Sequence, residues 1–522
     1  MPSEEVINNA DKANVLDKGT RLHRFSPLFT LVEVVKRTII PLVFGVLTYE
    51  KSVKVQIAII SIVSFISLFS ILQYWFYHYW IKEDKIEIKE GIFFKKNRKV
   101  PYTRIQNVNV LQNPLHRLLK LATLQLESAS GGKPEAVMRV VSLDVVEQIK
   151  EKVRRSSASD FQHKSCQEEA LEEQGTQKES LSDKPLLELP VKDVVKYGII
   201  SQKGLFFGAI LFGFLAQNQK LVAYVFTHLD ALYKIPDFAK ISLALGIIYV
   251  GVVGLVMLVS LQLLSILWAL LKFYGFKIEK QKDRLQARMG LISKISATIP
   301  LKRIQLYRIS ENPLHKFFKS RTITVETAGG VNTDNSGIVM RWIAPLIPRV
   351  QVKDFMQEIE PEIKLAAVEW QLIPYRAWRR VMKRMLLSLA LFSAILTAIA
   401  LLPQVEIQFY AWIVVLMLIP VIYLYSKNYV KKTGYYIDDD IICFKSGVWF
   451  GKQSFVKINK IQTVEILDSP FDRRNKMATL EIDTAGSNIL LHHVKIPYLE
   501  VAEAYRLRDF IQKKLNASAY SW

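Results

Sequence analysis

Half of the 522 residues are hydrophobic, yet 70 Lys and Arg stand against 48 Asp and Glu, a net charge of +22. A soluble domain seldom combines the two, whereas a membrane protein with basic faces toward anionic lipid does. Two cysteines, Cys166 and Cys443, are too few for a disulfide framework or a cysteine zinc site, which fits a reducing compartment.

Residues 1–25 are polar and expected to be disordered, and with no apolar h-region among the first twenty no cleavable signal peptide is expected. Residues 26–81 read as a first transmembrane hairpin. Its first arm, Leu28–Val35 and Ile39–Leu47, is split by Lys36-Arg37 and holds Pro41. Its second, Ile57–Ile81, has no charged residue and ends in Tyr74, Trp75, Phe76, Tyr77, Tyr79 and Trp80. Roughly 20 apolar residues cross a bilayer core, and aromatic belts mark its edge.

The period then changes. Lys85-Ile-Glu-Ile-Lys, Val108-Asn-Val and Thr123-Leu-Gln-Leu-Glu alternate apolar and polar, as half-buried strands do. From Ser142 to Arg154, Leu143, Val145, Val146, Ile149 and Val153 share a helical face, with Asp144 and Glu147 as a capping box. Residues 82–155 are thus expected to form a small β-sandwich or open barrel plugged by a helix. The acidic stretch 156–190 reads as a flexible linker.

The plan then recurs. A second hairpin is expected over 191–273, with a weak Gly204–Ala216 arm and a strong Ile241–Leu271 one, and a second module over 274–362 ending in a helix at Val352–Ile359. A third hairpin occupies 363–428 (Met385–Leu402 and Ile407–Tyr425), and a third module 429–516 ends in a helix from Tyr498 to Leu515. The repeat is written in three Ile-Gln pairs, Ile105-Gln106, Ile304-Gln305 and Ile461-Gln462. From each Gln a Pro (Pro114, Pro313, Pro470) lies 8 residues on, a Thr (Thr123, Thr322, Thr479) 17 on, and a Gly (Gly91, Gly290, Gly447) 15 before. One structural unit used three times is the direct reading.

Paired spans put all three modules and the N-terminus on one face. The opposite connections carry only Lys51, Lys54, Lys220, Lys234 and Lys240, while Arg376, Arg379, Arg380, Lys383 and Arg384 flank a span on the module side. The Lys/Arg bias therefore predicts a multi-pass plasma-membrane protein with cytoplasmic modules.

A hairpin, then Gly and an apolar-aromatic pair, then Arg/Lys-Ile-Gln, Asn/Ser-Pro and a Thr-led strand, three times in register, resembles the bacterial pleckstrin-homology-like family once called DUF304, in its three-module, YdbT-like members. The resemblance runs from about Phe25 to Leu515, the acidic linker apart. It implies two nearly orthogonal antiparallel sheets capped by a C-terminal helix. The expected fold class is therefore an α+β membrane protein, three repeats of a transmembrane helical hairpin plus a PH-like β-sandwich with that cap. It further implies a smaller single-module PH-like membrane protein as partner, a link to defence against membrane-active peptides, and neither enzymatic activity nor cofactor. The third copy departs: Asp472 replaces the His of His116 and His315, and Lys460 replaces Arg104 and Arg303.

Three groups of residues are candidates for binding a headgroup or a partner. In the Arg/Lys-Ile-Gln element (Arg104, Gln106; Arg303, Gln305; Lys460, Gln462), a cation and an amide two apart would project to the same side of a strand. They would grip a phosphate or another module, or else the Gln satisfies backbone groups at a sheet corner. Beside the Asn/Ser-Pro turns, which should open short helices, Arg117, Lys120, Lys316, Lys319, Arg473 and Arg474 face either the bilayer or plain solvent. The tip Phe93-Phe94 with Lys95, Lys96, Arg98 and Lys99, and its counterpart Trp449-Phe450, either inserts at headgroup level or packs on a juxtamembrane helix.

Catalytic and metal readings fail. His492-His493 would face opposite ways on a strand, and no HExxH, P-loop, GxGxxG or GxSxG pattern occurs. Cys443 lies in an apolar strand as a small hydrophobe. The basic residues follow the membrane face without a recognition motif, so nucleic acid is not an expected partner. The expected function is a non-catalytic inner-membrane scaffold touching anionic inner-leaflet lipid, in envelope stress or antimicrobial-peptide resistance or export. A homo-oligomer stays open, as does the alternative of lipid or peptide handling by the six helices.

Overall fold

A computed structural model describes residues 20–26, 75–91, 95–128, 135–165, 185–204, 242–281, 283–328, 342–363, 368–400, 410–484 and 494–517, with isolated helical positions within 28–72 and 206–227. The chain divides into two compact units, one mainly of residues 1–279 and 286–298, the other mainly of 280–285, 299–333 and 339–522.

In the first unit, β1 (Thr20–Arg21), β2 (His78–Ile81), β3 (Lys85–Glu90) and β4 (Lys96–Pro101) form a four-stranded sheet in that order. This corrects two expectations. Disorder does not reach residue 25: Thr20 and Arg21 pair with Tyr79 and His78, and Leu22 is buried. The second arm of the hairpin does not run to Ile81, because His78–Ile81 is already a strand of the sandwich. Residues 1–19 and most of the first hairpin lie outside the described residues.

Strands β5 (Ile105–Gln112), β6 (Leu121–Ser128) and β7 (Ala136–Ser142) follow as an antiparallel meander, with a short helix α1 (Pro114–Leu118) after β5. Helix α2 (Leu143–Ser165) runs past the predicted end into the expected linker, of which 166–184 are not described. Its Val146, Ile149 and Val153 share one core with Ile86, Ile88, Leu124, Leu126 and Met138. Each such side chain contributes about 1.5–3 kcal/mol by leaving water, so this core is what holds the helix to the sheets.

The second repeat opens with β8 (Leu187–Glu188), α2's successor α3 (Val191–Ser201) and the long α4 (Leu243–Phe273). Strands β9 (Lys277–Gln281), β10 (Arg284–Met289) and β11 (Lys294–Pro300) come next, and β8 pairs with β9. Helices α3 and α4 touch closely: a Cβ on Gly198 would sit 2.6 Å from Ile266 Cα. Ser265 Oγ (2.7 Å) and Gln262 Nε2 (3.3 Å) both donate to the Gly198 carbonyl, so the Gln of the apolar helix serves helix–helix bonding.

The second unit holds β12 (Ile304–Glu311), α5 (Pro313–Phe317), β13 (Ser320–Thr327), β14 (Trp342–Pro348) and α6 (Val352–Ile359). The third repeat adds β15 (Gln371–Leu372), α7 (Ala377–Ala400), α8 (Tyr410–Lys432), β16 (Gly434–Ile437), β17 (Ile441–Ser446) and β18 (Gly451–Lys457). It ends with β19 (Ile461–Leu467), α9 (Pro470–Arg474), β20 (Met477–Thr484), β21 (Val494–Glu500) and α10 (Val501–Ala517). Ala504, Leu507 and Ile511 of α10 share a core with Leu480, Ile482 and Ile496.

Among the described residues three helical stretches are long and apolar enough to cross a membrane: Gly251–Phe273, Ala377–Ala398 and Trp412–Lys432. The expected weak arms Ile39–Leu47 and Gly204–Ala216 fall wholly or largely outside the described residues.

Candidate functional site

The sheets do not stop at the repeat boundaries. One seven-stranded sheet runs β7-β6-β5-β11-β10-β9-β8 and another β14-β13-β12-β18-β17-β16-β15. In the first, β5 pairs antiparallel with β11 of the next repeat: Gln112 faces Lys294, Leu111 faces Ile295, Val110 faces Ser296. In the second, β12 pairs with β18, from Leu306–Val456 through Arg308–Ser454 to Glu311–Gly451. By repeat position Gln112 corresponds to Glu311 and Lys294 to Gly451. Both joints therefore use the same edges in the same register.

A clamp accompanies each joint. Arg117 donates to the Leu291 carbonyl and Lys316 to the Val448 carbonyl, both at 2.9 Å. The accepting carbonyls follow Gly290 (φ 110°) and Gly447 (φ 103°). A Cβ on either glycine would lie 2.0 Å from a carbonyl oxygen, of Ser293 or Phe450, so only glycine makes this turn. Two cations read as bilayer or solvent contacts thus bind the neighbouring repeat. Arg473, at the same position in the third repeat, lies 3.7 Å from Asp468 with its side chain 64% exposed. The third-repeat strands Lys457 and the second-repeat carboxylates add a further tie: Lys457 Nζ lies 2.8 Å from both Glu360 and Glu362, and Tyr307 donates to Glu360 at 3.1 Å.

The Asn/Ser-Pro turns open short helices in all three repeats. His116, His315 and Asp472 occupy one capping position, each accepting the N–H of the cap residue, at 3.3 Å from Asn113, 3.3 Å from Asn312 and 3.2 Å from Ser469. Asp472 therefore keeps the backbone role of the histidines it replaces. Burial lowers the pKa of the His116 imidazole and takes that of His315 down to about 4. The outer side of this residue meets a side chain from another element: Phe29 stacks on His116 with centroids 4.1 Å apart, and Arg380 of the apolar helix α7 donates to Asp472 at 2.6 Å. Burial works to raise the Asp472 carboxyl, but hydrogen bonds from Arg380 and Ser469 outweigh it and hold it below the usual range.

The Arg/Lys-Ile-Gln element sits at a sheet corner, which fits the second of its two readings. Arg104, Arg303 and Lys460 each end a 3-10 turn, and the ladder slips just after Ile105, Ile304 and Ile461. A two-residue strand period does not apply across such a corner, so cation and amide are not presented together on one strand side. Arg303 instead donates to the Ala328 carbonyl at 2.9 Å and buried Gln305 to the Arg303 carbonyl at 3.4 Å. Gln462 is exposed, and burial leads the lowering of the Lys460 ammonium. The side chain of Gln106 is outside the described residues.

Lys95, Lys96, Arg98 and Lys99 are exposed on or beside β4, where Arg98 reaches Glu90 (3.5 Å) and the Glu135 carbonyl (3.0 Å); Phe93-Phe94 lie outside the described residues. Trp449 meets Tyr425 of α8 edge-on at 6.0 Å. Together with Met385, Phe392 and Leu418 they line an apolar groove of about 430 Å³. Cys443 is buried, its thiol pushed up to about 12 by desolvation. Among the described residues no three His, Cys, Asp or Glu gather as metal ligands; His492-His493 lie outside them.

A family model described as bacterial PH domain matches residues 29–157, 231–360 and 387–515. The UPF0699 transmembrane protein YdbT of Bacillus subtilis (strain 168) is 25% identical over 493 residues, covering 91% of this chain and 94% of its own. No solved structure matches.

Proposed function

Because the chain belongs to the bacterial PH domain family and carries apolar membrane helices, we propose that it is a non-catalytic scaffold of the bacterial plasma membrane. Three repeats, each a helical hairpin with a helix-capped PH-like sandwich, hold a platform on the cytoplasmic side, against anionic inner-leaflet lipid. The platform docks a smaller single-module PH-like membrane protein in envelope stress or antimicrobial-peptide resistance or export.

One observation carries this reading: the repeats join by sheet-edge addition in one register, twice. Edge addition recruits an extended strand through backbone hydrogen bonds, so modules of one fold are suited to recruit others. The excess of juxtamembrane cations on the module side supports the cytoplasmic orientation. The test is co-purification from detergent at native expression, together with a deletion strain challenged by membrane-active peptides. A single-module partner and a sensitised strain are expected. Neither partner nor phenotype would refute the proposal.

A second reading, lipid or peptide handling, is favoured by the apolar groove between α7 and α8 that Trp449 helps to line. Filling it by Ser388→Trp should then abolish lipid or cationic-peptide binding in proteoliposomes. Unchanged binding would dispose of this reading.

A further inference from the structure

Two sheet edges of the kind used at the joints are left over. Among the described residues β4 pairs only with β3, and β19 only with β20. By repeat position β4 matches β11 and β18, while β19 matches β5 and β12. Among the described residues the three repeats thus leave one edge of each complementary kind outside any ladder.

We infer that β4 of one copy pairs with β19 of a second copy, in the register of the internal joints, so that the chain assembles head to tail. This rests on the proposed reading only in requiring the modules of all copies to share one membrane face.

The side chains fit this occupant. The shared register sets Lys95 opposite Asp468, Lys96 opposite Leu467 and Arg98 opposite Glu465. Two of these three are ion pairs. The internal joints hold Lys294–Gln112, Gly451–Glu311 and Arg308–Ser454 at the same positions, none of them an ion pair. Glu465 is exposed and lies opposite Glu481 within its own sheet, whose carboxylate Lys495 holds at 2.9 Å, and an arriving Arg98 would add the ion pair at Glu465. Leu467 is 44% exposed. Arg473, the counterpart of the two clamp cations Arg117 and Lys316, lies 3.7 Å from Asp468 on the same edge. Lysines on an edge also discourage promiscuous pairing, so β4 repels most strands and admits an acidic one. A head-to-tail contact is heterologous and generates rings or filaments rather than a closed dimer.

The test uses the full chain in native membranes with Cys166→Ser. Two tagged forms are co-expressed, one with Lys96→Cys and the other with Leu467→Cys. Mild oxidation should give a disulfide-linked pair carrying both tags, and Lys99→Cys with Leu467→Cys should give about a tenth of it, since the register differs. Glu465→Lys with Asp468→Lys should lower the linked fraction about tenfold, and Lys95→Glu with Arg98→Glu in the other copy should restore it. Unsubstituted protein in detergent should migrate as a multimer by mass photometry, independent of any variant's folding. No mixed-tag band, a band indifferent to register and charge, a purely monomeric wild type, or edges occupied by a different protein would each overturn the inference. Loss of the peptide phenotype or of the single-module partner would sink the proposed function while leaving this band in place.

Discussion

Arg380 Nε lies 2.6 Å from Asp472 Oδ1, with both side chains 13% exposed, so the N-terminal base of α7 is bonded to the first turn of α9. A link therefore runs from the apolar helix α7 to the sheets of its own repeat. The same carboxylate accepts the Ser469 N–H at 3.2 Å, so one side chain both caps a helix and anchors a span.

Asp472→Ala should cost about 2–3 kcal/mol, because it takes the carboxylate from a mostly buried guanidinium and the acceptor from the Ser469 N–H, leaving only half of the capping box. Its folded-state pKa is depressed, so its contribution is present above the unfolded-state value near 4 and is lost as pH falls through the folded one. Thermal unfolding of detergent-solubilised protein against pH should show this loss at the acid end. Asp472→Asn should flatten it.

His315 behaves oppositely in charge but alike in sign. Burial holds its pKa at about 4 against an ordinary 6.5, so the folded state binds fewer protons than the unfolded chain. Stability is complete above about 6.5 and declines as pH falls from there toward 4, by an amount on the order of 2–3 kcal/mol. The imidazole should titrate near 4 by NMR of labelled histidine, and His315→Gln should remove the slope between those limits.

One position in each repeat combines a lysine with left-handed backbone: Lys120 (φ 53°), Lys319 (φ 49°) and Lys476 (φ 52°). Glycine is the residue that adopts this conformation without strain. Lys476→Gly should therefore raise stability by about 0.5–1 kcal/mol, whereas Gly447→Ala should lower it by more than about 2 kcal/mol, since its Cβ meets the Phe450 oxygen. Denaturant midpoints of the two variants should move in opposite directions.

The elements that were legible in the sequence are those with a period or a fixed spacing. The glycine before each Ile-Gln, the proline after it and the alternation of Lys85–Lys89 all report local geometry, and the turns, short helices and strands stand where they place them. Thr20–Arg21 was not legible, because a two-residue strand has no period and its partners lie 59 and 57 residues away. Edge pairing between repeats was not legible either. It is made by backbone groups, and Gly451 opposite Glu311 carries no side-chain signature of a contact. Of the two readings of the Arg/Lys-Ile-Gln element, the same-side projection extended a strand period across a 3-10 corner, while the backbone contact of Gln305 fits the alternative in which the amide serves the corner. Arg117 and Lys316 read as surface cations because their acceptors are main-chain carbonyls over a hundred residues away.

The joint itself can be tested within one chain. Lys457 Nζ is held by Glu360 and Glu362, the first of which also accepts the buried Tyr307 hydroxyl. Burial by itself lowers the ammonium's pKa, but the two carboxylates outweigh it and raise the value, which marks the pair as charged. Removing the cation leaves Glu360 facing a tyrosine and a second carboxylate in a mostly dry site. Lys457→Met should thus cost about 2–3 kcal/mol, the methionine keeping the stem's packing while losing the charge. The loss should be localised: hydrogen exchange should quicken in β12 and β18, whose ladder this cluster closes, and stay unchanged in β5, β6 and β7. A uniform rise in exchange throughout the chain would mean that the cluster supports the general fold and not the joint.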